Sequence, residues 1–286
     1  MNMILKSPEI DPDNNAQCLH KITPLSAGWK YVGFEAYTLK SGTVFNWSSE
    51  EREACVVLLT GSIQIVTNDH ANNNNNNIDT GVLIGRASVF DKTPPHALYA
   101  PHKTKIKISA HTDAQIIIAT APCYGTHPVR YIAPHQMQQS VRGCGTNTRY
   151  VTDILPDSLN AADHLLVVEV ITPSSHSSSY PPHKHDQDRV DEHNNLLETA
   201  LEETYFHKVN PAQGFVFQRI YTDKINGIRE IDQAYAVECN DVILVPKGYH
   251  PVIVPHGYES WYLNVMAGPT RKWQFHNDPE HEFLFK

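Results

Sequence analysis

The chain is 286 residues long, 41% hydrophobic, with a formal net charge of −8 when its 17 histidines are neutral. That length can bury one large core or two of ordinary size, and the scattered basic residues exclude a nucleic-acid footprint. Five cysteines (Cys18, Cys55, Cys123, Cys144, Cys239) form no CxxC pair and are odd in number, which argues against a disulfide framework or a Cys-based zinc ribbon and for a reducing, cytoplasmic setting. The N-terminus, MNMILKSPEIDPDNN, has neither the charged leader nor the long apolar stretch of a signal peptide. No run is long enough to span a bilayer. The expectation is a soluble protein acting on a small molecule, with no membrane partner.

In chain order the sequence predicts strands at 31–39, 54–67, 105–110, 114–121, 164–172, 204–209, 214–222, 233–238, 241–246 and 260–266. These stretches are rich in Val, Ile, Tyr and Phe and are punctuated by Gly, Pro, Asn and Asp. Helical periodicity is nearly absent, and short strands at regular intervals indicate a sandwich or barrel rather than a parallel α/β sheet. The pattern runs twice, which predicts an all-β protein of two tandem jelly-roll barrels: 1–125, a connecting segment 126–160, and 161–286. The stretch NDHANNNNNNID (68–79) is polar and turn-prone with nothing to bury, and reads as a disordered loop extension.

The halves differ in chemistry. The second contains His183-Lys184-His185 after a Pro-Pro, and Pro246-Lys247-Gly248-Tyr249-His250. Successive side chains of a strand alternate between faces, so His183 and His185 can converge on one ion while Lys184 points away. Glu202 and Glu203 must face opposite ways. Glu203 shares a face with Leu201, Tyr205 and His207 and is the favoured inward carboxylate, whereas Glu202 aligns with Lys208. The PKG turn is expected to aim His250 back into the barrel. A lone HxH is ordinarily a pair of loop histidines; Glu203 and the PxGxxH string taken together outweigh that reading. His176, His193 and Asp186 are competing ligands assigned to a polar loop. Three His and one Glu suit a divalent ion, Zn²⁺ first, with Mn²⁺, Fe²⁺ or Ni²⁺ as alternatives. The first half offers Glu53 ahead of a strand and His96 near prolines, without either string, and is expected to be metal-free.

These strings resemble the cupin signature. More specifically, VVEVITP (167–173), SSYPPHKHD (178–186), LEETYFHKVNPAQGFVFQRIYTD (201–223), DVILVPKGYHPV (241–252) and YLNVMAGP (262–269) resemble the 5-deoxy-glucuronate isomerase family of bacterial inositol catabolism. VRGCGTNTRYVTDILP (141–156) and, in the first half, GWKYVGFEAYTLKSG (28–42), REACVVLLTGS (52–62) and RASVFDKTPPHALYAP (86–101) extend the resemblance over nearly the whole chain. It departs from the family in the Asn run and in a long stretch between His185 and Glu203. The resemblance implies a metal-dependent aldose–ketose isomerisation of 5-deoxy-D-glucuronate to 2-deoxy-5-keto-D-gluconate. Cupin dioxygenases, a ketol-isomerase of pectin breakdown and a non-enzymatic sugar-binding bicupin are the alternatives.

A deoxy-uronate substrate calls for a cation on its carboxylate. Arg219 is one candidate, but Gln218 and Arg219 must face opposite ways, so either Gln218 or Arg219 looks inward; a strand-face ion pair competes for Arg219. Lys247 is a further candidate, while Arg142 and Arg149 are assigned to packing between the barrels. Tyr205, Tyr221 and Tyr235 could each move the proton, Tyr235 and Tyr221 being preferred, and a metal-assisted hydride shift is the competing mechanism. Exposed sheet edges leave room for a homo-oligomer.

Overall fold

The computed structural model describes residues 2–69 and 77–285. The middle of the Asn-rich stretch, where the loop extension was expected, lies outside the described residues. Strands dominate. The only α-helix among the described residues is the single turn Pro24–Ala27, and no helix is long and apolar enough to cross a membrane. Contacts divide the chain into two compact units, 8–139 with 152–168, and 1–7 with 140–151 and 169–286. The extreme N-terminus thus groups with the C-terminal half, where Ile4–Leu5 pairs antiparallel with Val242–Val245. The segment 126–160 is no bare connection, since it carries the strands Arg130–Ile132, Gln138–Arg142 and Arg149–Leu155.

In the first unit a six-stranded sheet runs in the order Arg130–Ile132, His96–Ala100, Arg52–Thr60, Ala114–Pro122, Gly33–Leu39, Ala16–Ile22. A four-stranded sheet runs Val44–Ser48, Thr104–Ala110, Ser62–Asp69, Asp79–Ile84. Alternate residues of both sheets meet in one apolar cluster, among them Val56, Leu58, Leu98, Ile116 and Ile118 from the first sheet and Ile63, Ile65, Ile106 and Ile108 from the second. This is the interior of a jelly roll filled with hydrocarbon. The strand expected at 54–67 is two strands broken at Gly61, whose φ is +88° and whose added Cβ would lie 2.2 Å from the Asp113 carbonyl oxygen. Only glycine fits such a turn, so the chain switches sheets there.

The other unit repeats the plan with polar contents. Its large sheet runs Ile4–Leu5, Val242–Val245, Glu202–Asn210, Glu259–Ala267; its small sheet runs Ser177–Ser178, Val252–Ile253, Phe215–Tyr221, Asp232–Glu238. Tyr205 pairs with Asn264 and His207 with Tyr262 across the two long strands. Pleating therefore gathers Glu203, Tyr205, His207, Tyr262 and Asn264 on one buried face. Where the first unit packs isoleucine and valine, this one presents oxygen, nitrogen and aromatic edges.

Candidate metal centre

Two short segments bring the histidines to that polar face. His183–Lys184 forms a two-residue strand against His276–Asn277, and the alternation expected of HxH holds. His183 and His185 turn to the interior, while Lys184 reaches Asp223 at 2.6 Å and Asp186 at 3.6 Å. Gly248 opens the second segment with φ +92°, and a Cβ there would sit 2.4 Å from the Tyr221 carbonyl oxygen. Glycine is therefore required for the turn that aims His250 inward. Asp186 ties the two segments together by accepting the Gly248 N–H at 2.7 Å. It is a brace rather than a ligand. His176 and His193 stay in their loops, bonded to Ser174 and beside Glu192 respectively.

The ligand nitrogens of His183, His185 and His250 lie within 4.8 Å of one another. Glu203 Oε2 stands 3.1 Å from both His185 Nε2 and His250 Nε2, and Asn264 Nδ2 donates to Glu203 Oε1 at 2.6 Å. The carboxylate that alternation selected is the one that meets the imidazoles; Glu202 is only partly buried and lies outside the cluster. His250 Nδ1 donates to the Gly248 carbonyl at 2.8 Å, and His185 Nδ1 faces the Leu201 carbonyl at 3.3 Å. Such bonds fix the tautomer and leave Nε2 as the outward ligand atom.

The set fits a divalent metal ion on its own chemistry. His250 Nε2 is fully buried with no aligned hydrogen-bond partner, a condition that ordinarily costs stability and that a coordinated cation relieves. Burial raises the Glu203 carboxyl, but His250 and His185 outweigh it and hold the group well below the usual carboxylate range, so it stays ionised. Burial, with His250 and His185 adding to it, depresses His183 and keeps that imidazole neutral, as a metal requires.

A further ring of residues supports the cluster. Gln218 is fully buried, with Oε1 3.0 Å from His207 Nε2 and Nε2 donating to the His250 carbonyl at 3.3 Å. Its amide is committed at both ends, to His207 and to the His250 carbonyl. Burial drops His207 to a pKa of about 4. An unfolded histidine titrates near 6.5, so below that pH the unfolded chain takes up a proton that the folded one does not. Stability supplied by neutral His207 is therefore complete above pH 6.5 and drains away as pH falls towards 4. Equilibrium unfolding of metal-free protein should show this slope, and His207→Gln should reduce it, the remainder coming from His183. An unchanged slope would place the titrating group elsewhere.

Several sequence candidates do not reach the cluster. Arg219 lies on the outer face of its strand, forked onto Asp232 by two 2.8 Å bonds and stacked 4.3 Å from the Tyr221 ring centre. Gln218 has the inward parity, so Arg219 cannot share it. Lys247 is drawn outward to Glu230 at 2.7 Å. Tyr235 bonds Gln233, and the Tyr221 hydroxyl donates to Asp278 at 2.7 Å; neither hydroxyl touches the histidines. The tyrosine that does approach is Tyr205, its ring 5.7 Å from His250 and its hydroxyl 2.9 Å from Ser179 Oγ. On the least buried side, His183 packs against Phe275 at 4.7 Å and Trp273 at 6.5 Å, and Arg142 lies over Trp273 at 5.4 Å. Tyr205 and Asn264 carried a faint signal in the alternation of their strands; Trp273 and Phe275 carried none.

Comparison with known proteins agrees over the whole chain. The model of the KduI/IolB family matches residues 4–284. The 5-deoxy-glucuronate isomerase of Geobacillus kaustophilus is 47% identical, the match covering 93% of this chain and 90% of that protein. The crystal structure of an IolB-like protein from Salmonella typhimurium LT2 superposes with a TM-score of 0.87 at 40% identity, covering 100% of both chains. Lactobacillus farciminis oxalate decarboxylase shares the fold alone, with a TM-score of 0.66 at 8% identity over 97% of this chain and 88% of that one.

Proposed function

We propose that this chain, which belongs to the KduI/IolB family, is a metal-dependent aldose–ketose isomerase that converts 5-deoxy-D-glucuronate to 2-deoxy-5-keto-D-gluconate. The observation that carries the reading is the buried cluster of His183, His185, Glu203 and His250 in a chain 47% identical to a 5-deoxy-glucuronate isomerase. Counting from the aldehyde carbon, the reaction moves the hydrogen of C2 to C1 and the hydroxyl proton of O2 to O1. The aldehyde becomes a hydroxyl and the C2 hydroxyl becomes the ketone, so no oxidant is consumed.

The four residues would hold a divalent ion, Zn²⁺ first by donor set, and such an ion acts as a Lewis acid that makes the C2 hydrogen acidic. The remaining work falls to the protein. Burial and the nearby Glu203 charge raise the Tyr205 hydroxyl well above its ordinary range, so it remains protonated. Held by Ser179, it is a fixed donor for the oxygen on which negative charge grows, and it does not serve as the base. Asn264 keeps Glu203 turned to the histidines. The aromatic wall of Phe275 and Trp273 lies beside His183, the most exposed of the four ligands at 9%, and substrate approaches from that side.

Purified protein should interconvert the two sugars without oxygen. Chelator should abolish the reaction and added divalent metal should restore it. Full turnover by protein shown to be metal-free would sink the metal mechanism, and a requirement for oxygen would favour a dioxygenase.

A further inference from the structure

We propose that Arg149 is the anchor for the carboxylate of the substrate. The inference rests on the uronate reading above and assigns the far end of that molecule. A uronate brings a negative charge into a pocket already occupied by Glu203, so a cation must meet it. The cations nearest in sequence to the two metal strings are already spent. Arg219 is forked onto Asp232, Lys247 onto Glu230, and Lys184 onto Asp223 and Asp186.

Arg149 differs in every respect. It begins the strand Arg149–Leu155 and is half-buried, yet no carboxylate among the described residues pairs with it. Only one nitrogen is committed: Nη1 donates to the Asn147 carbonyl at 3.0 Å and to Asn147 Oδ1 at 3.1 Å. That leaves Nε and Nη2, an edge of the guanidinium that suits a two-pronged grip on a carboxylate. Asn147 also donates through Nδ2 to the Tyr180 carbonyl at 2.9 Å, so the arginine is braced against the segment that leads into His183.

The space for the guanidinium is kept open by Gly143. Its φ is +77°, and a Cβ there would come 2.1 Å from the Asn147 carbonyl oxygen and 2.7 Å from Arg149 Nη1. Arg142 opposes the Arg149 charge, and its guanidinium lies over the Trp273 ring, 6.5 Å from which stands His183. A guanidinium partly withdrawn from water, without an acid and beside another arginine, stores an unfavourable term that an arriving anion relieves. Arg149 Nη1 lies against Gly143, which is preceded in the chain by Arg142 over Trp273, and this places that relief on the side of the cluster where the aromatic wall stands.

The test compares holoprotein with Arg149→Gln and Arg149→Lys. Metal content, KM and kcat for 5-deoxy-D-glucuronate, and calorimetric affinity for D-glucuronate and for its neutral amide are measured. Loss of a charge-assisted pair should weaken D-glucuronate binding and raise KM in Arg149→Gln by about tenfold to a hundredfold. Metal content and amide affinity should stay unchanged, and Arg149→Lys should recover part of the loss. Equal losses on acid and amide, unaltered glucuronate affinity, or wild-type protein that fails to bind glucuronate would each overturn the anchor. Binding that depends on Arg149 in a protein that does not isomerise would instead remove the reaction and leave the anchor standing.

Discussion

The His250→Ala protein is expected to fold, to retain no divalent metal after dialysis, and to lose isomerisation by about three orders of magnitude or more. That scale follows because a Lewis acid supplies several kcal/mol of transition-state stabilisation and each factor of ten in rate is about 1.4 kcal/mol. His250 is the member of the set whose removal is easiest to interpret. Its Nε2 has no aligned protein partner, so alanine deletes a ligand without orphaning a hydrogen-bond donor or acceptor through that atom. Glu203 keeps His185 at 3.1 Å and Asn264 at 2.6 Å, so its charge is not abandoned. His183→Ala should lose metal as well, and because its ring is held by Phe275 and His250 packing rather than by a hydrogen bond, its melting temperature should stay close to that of the metal-free wild type. Metal analysis and turnover measured together decide the matter. If both variants remain loaded and active, the cluster is not the site.

Why the ligands were legible in the sequence while their neighbours were not is a question of range. The HxH pair, the PxGxxH turn and the choice of Glu203 over Glu202 follow from the pleat of a strand and the stereochemistry of one glycine, which act within a few residues. The same pleat says that Gln218 and Arg219 oppose one another but leaves open which of them faces inward. That choice is made by strands distant in sequence: Val252–Ile253 and Asp232–Glu238 flank Phe215–Tyr221 in its sheet, and Gln218 finds His207 and the His250 carbonyl. Arg149 was assigned to packing for a related reason. Its lack of an acid partner is a property of three-dimensional surroundings, and no local pattern marks the absence of a neighbour. The strands at 16–22, 44–48, 79–84 and 96–100 were passed over because they are short, polar or interrupted, and pairing in the sheet overrides weak intrinsic preference.

Glu53→Ala should lower the stability of the protein by about 4 kcal/mol, a depression of the melting temperature of roughly 10 °C, without stripping the bound metal. Glu53 stands at the start of a strand in the first unit much as Glu203 does in the second, and it lies near Cys123 and Asp163 in a group that could, on composition, hold an ion. Its hydrogen bonds argue otherwise. Oε1 accepts the backbone N–H groups of His164 at 2.8 Å and Leu165 at 2.7 Å, and Oε2 accepts the Asp163 N–H at 2.7 Å and the Tyr99 hydroxyl at 2.9 Å. Asp163 is likewise occupied by the N–H groups of Tyr124 and Gly125 and by the Thr126 hydroxyl. Carboxylate oxygens filled by donors have little left for a cation, whereas the oxygen of Glu203 faces two imidazoles, one with its nitrogen unpartnered. Truncation of Glu53 would leave three backbone N–H groups and a phenol short of an acceptor in a buried setting, which is the expensive kind of loss. Glu53→Gln should not rescue it, because the amide nitrogen would confront N–H donors where an oxygen stood. A variant that instead melts normally but binds less metal would make Glu53 a ligand and return a metal site to the first barrel.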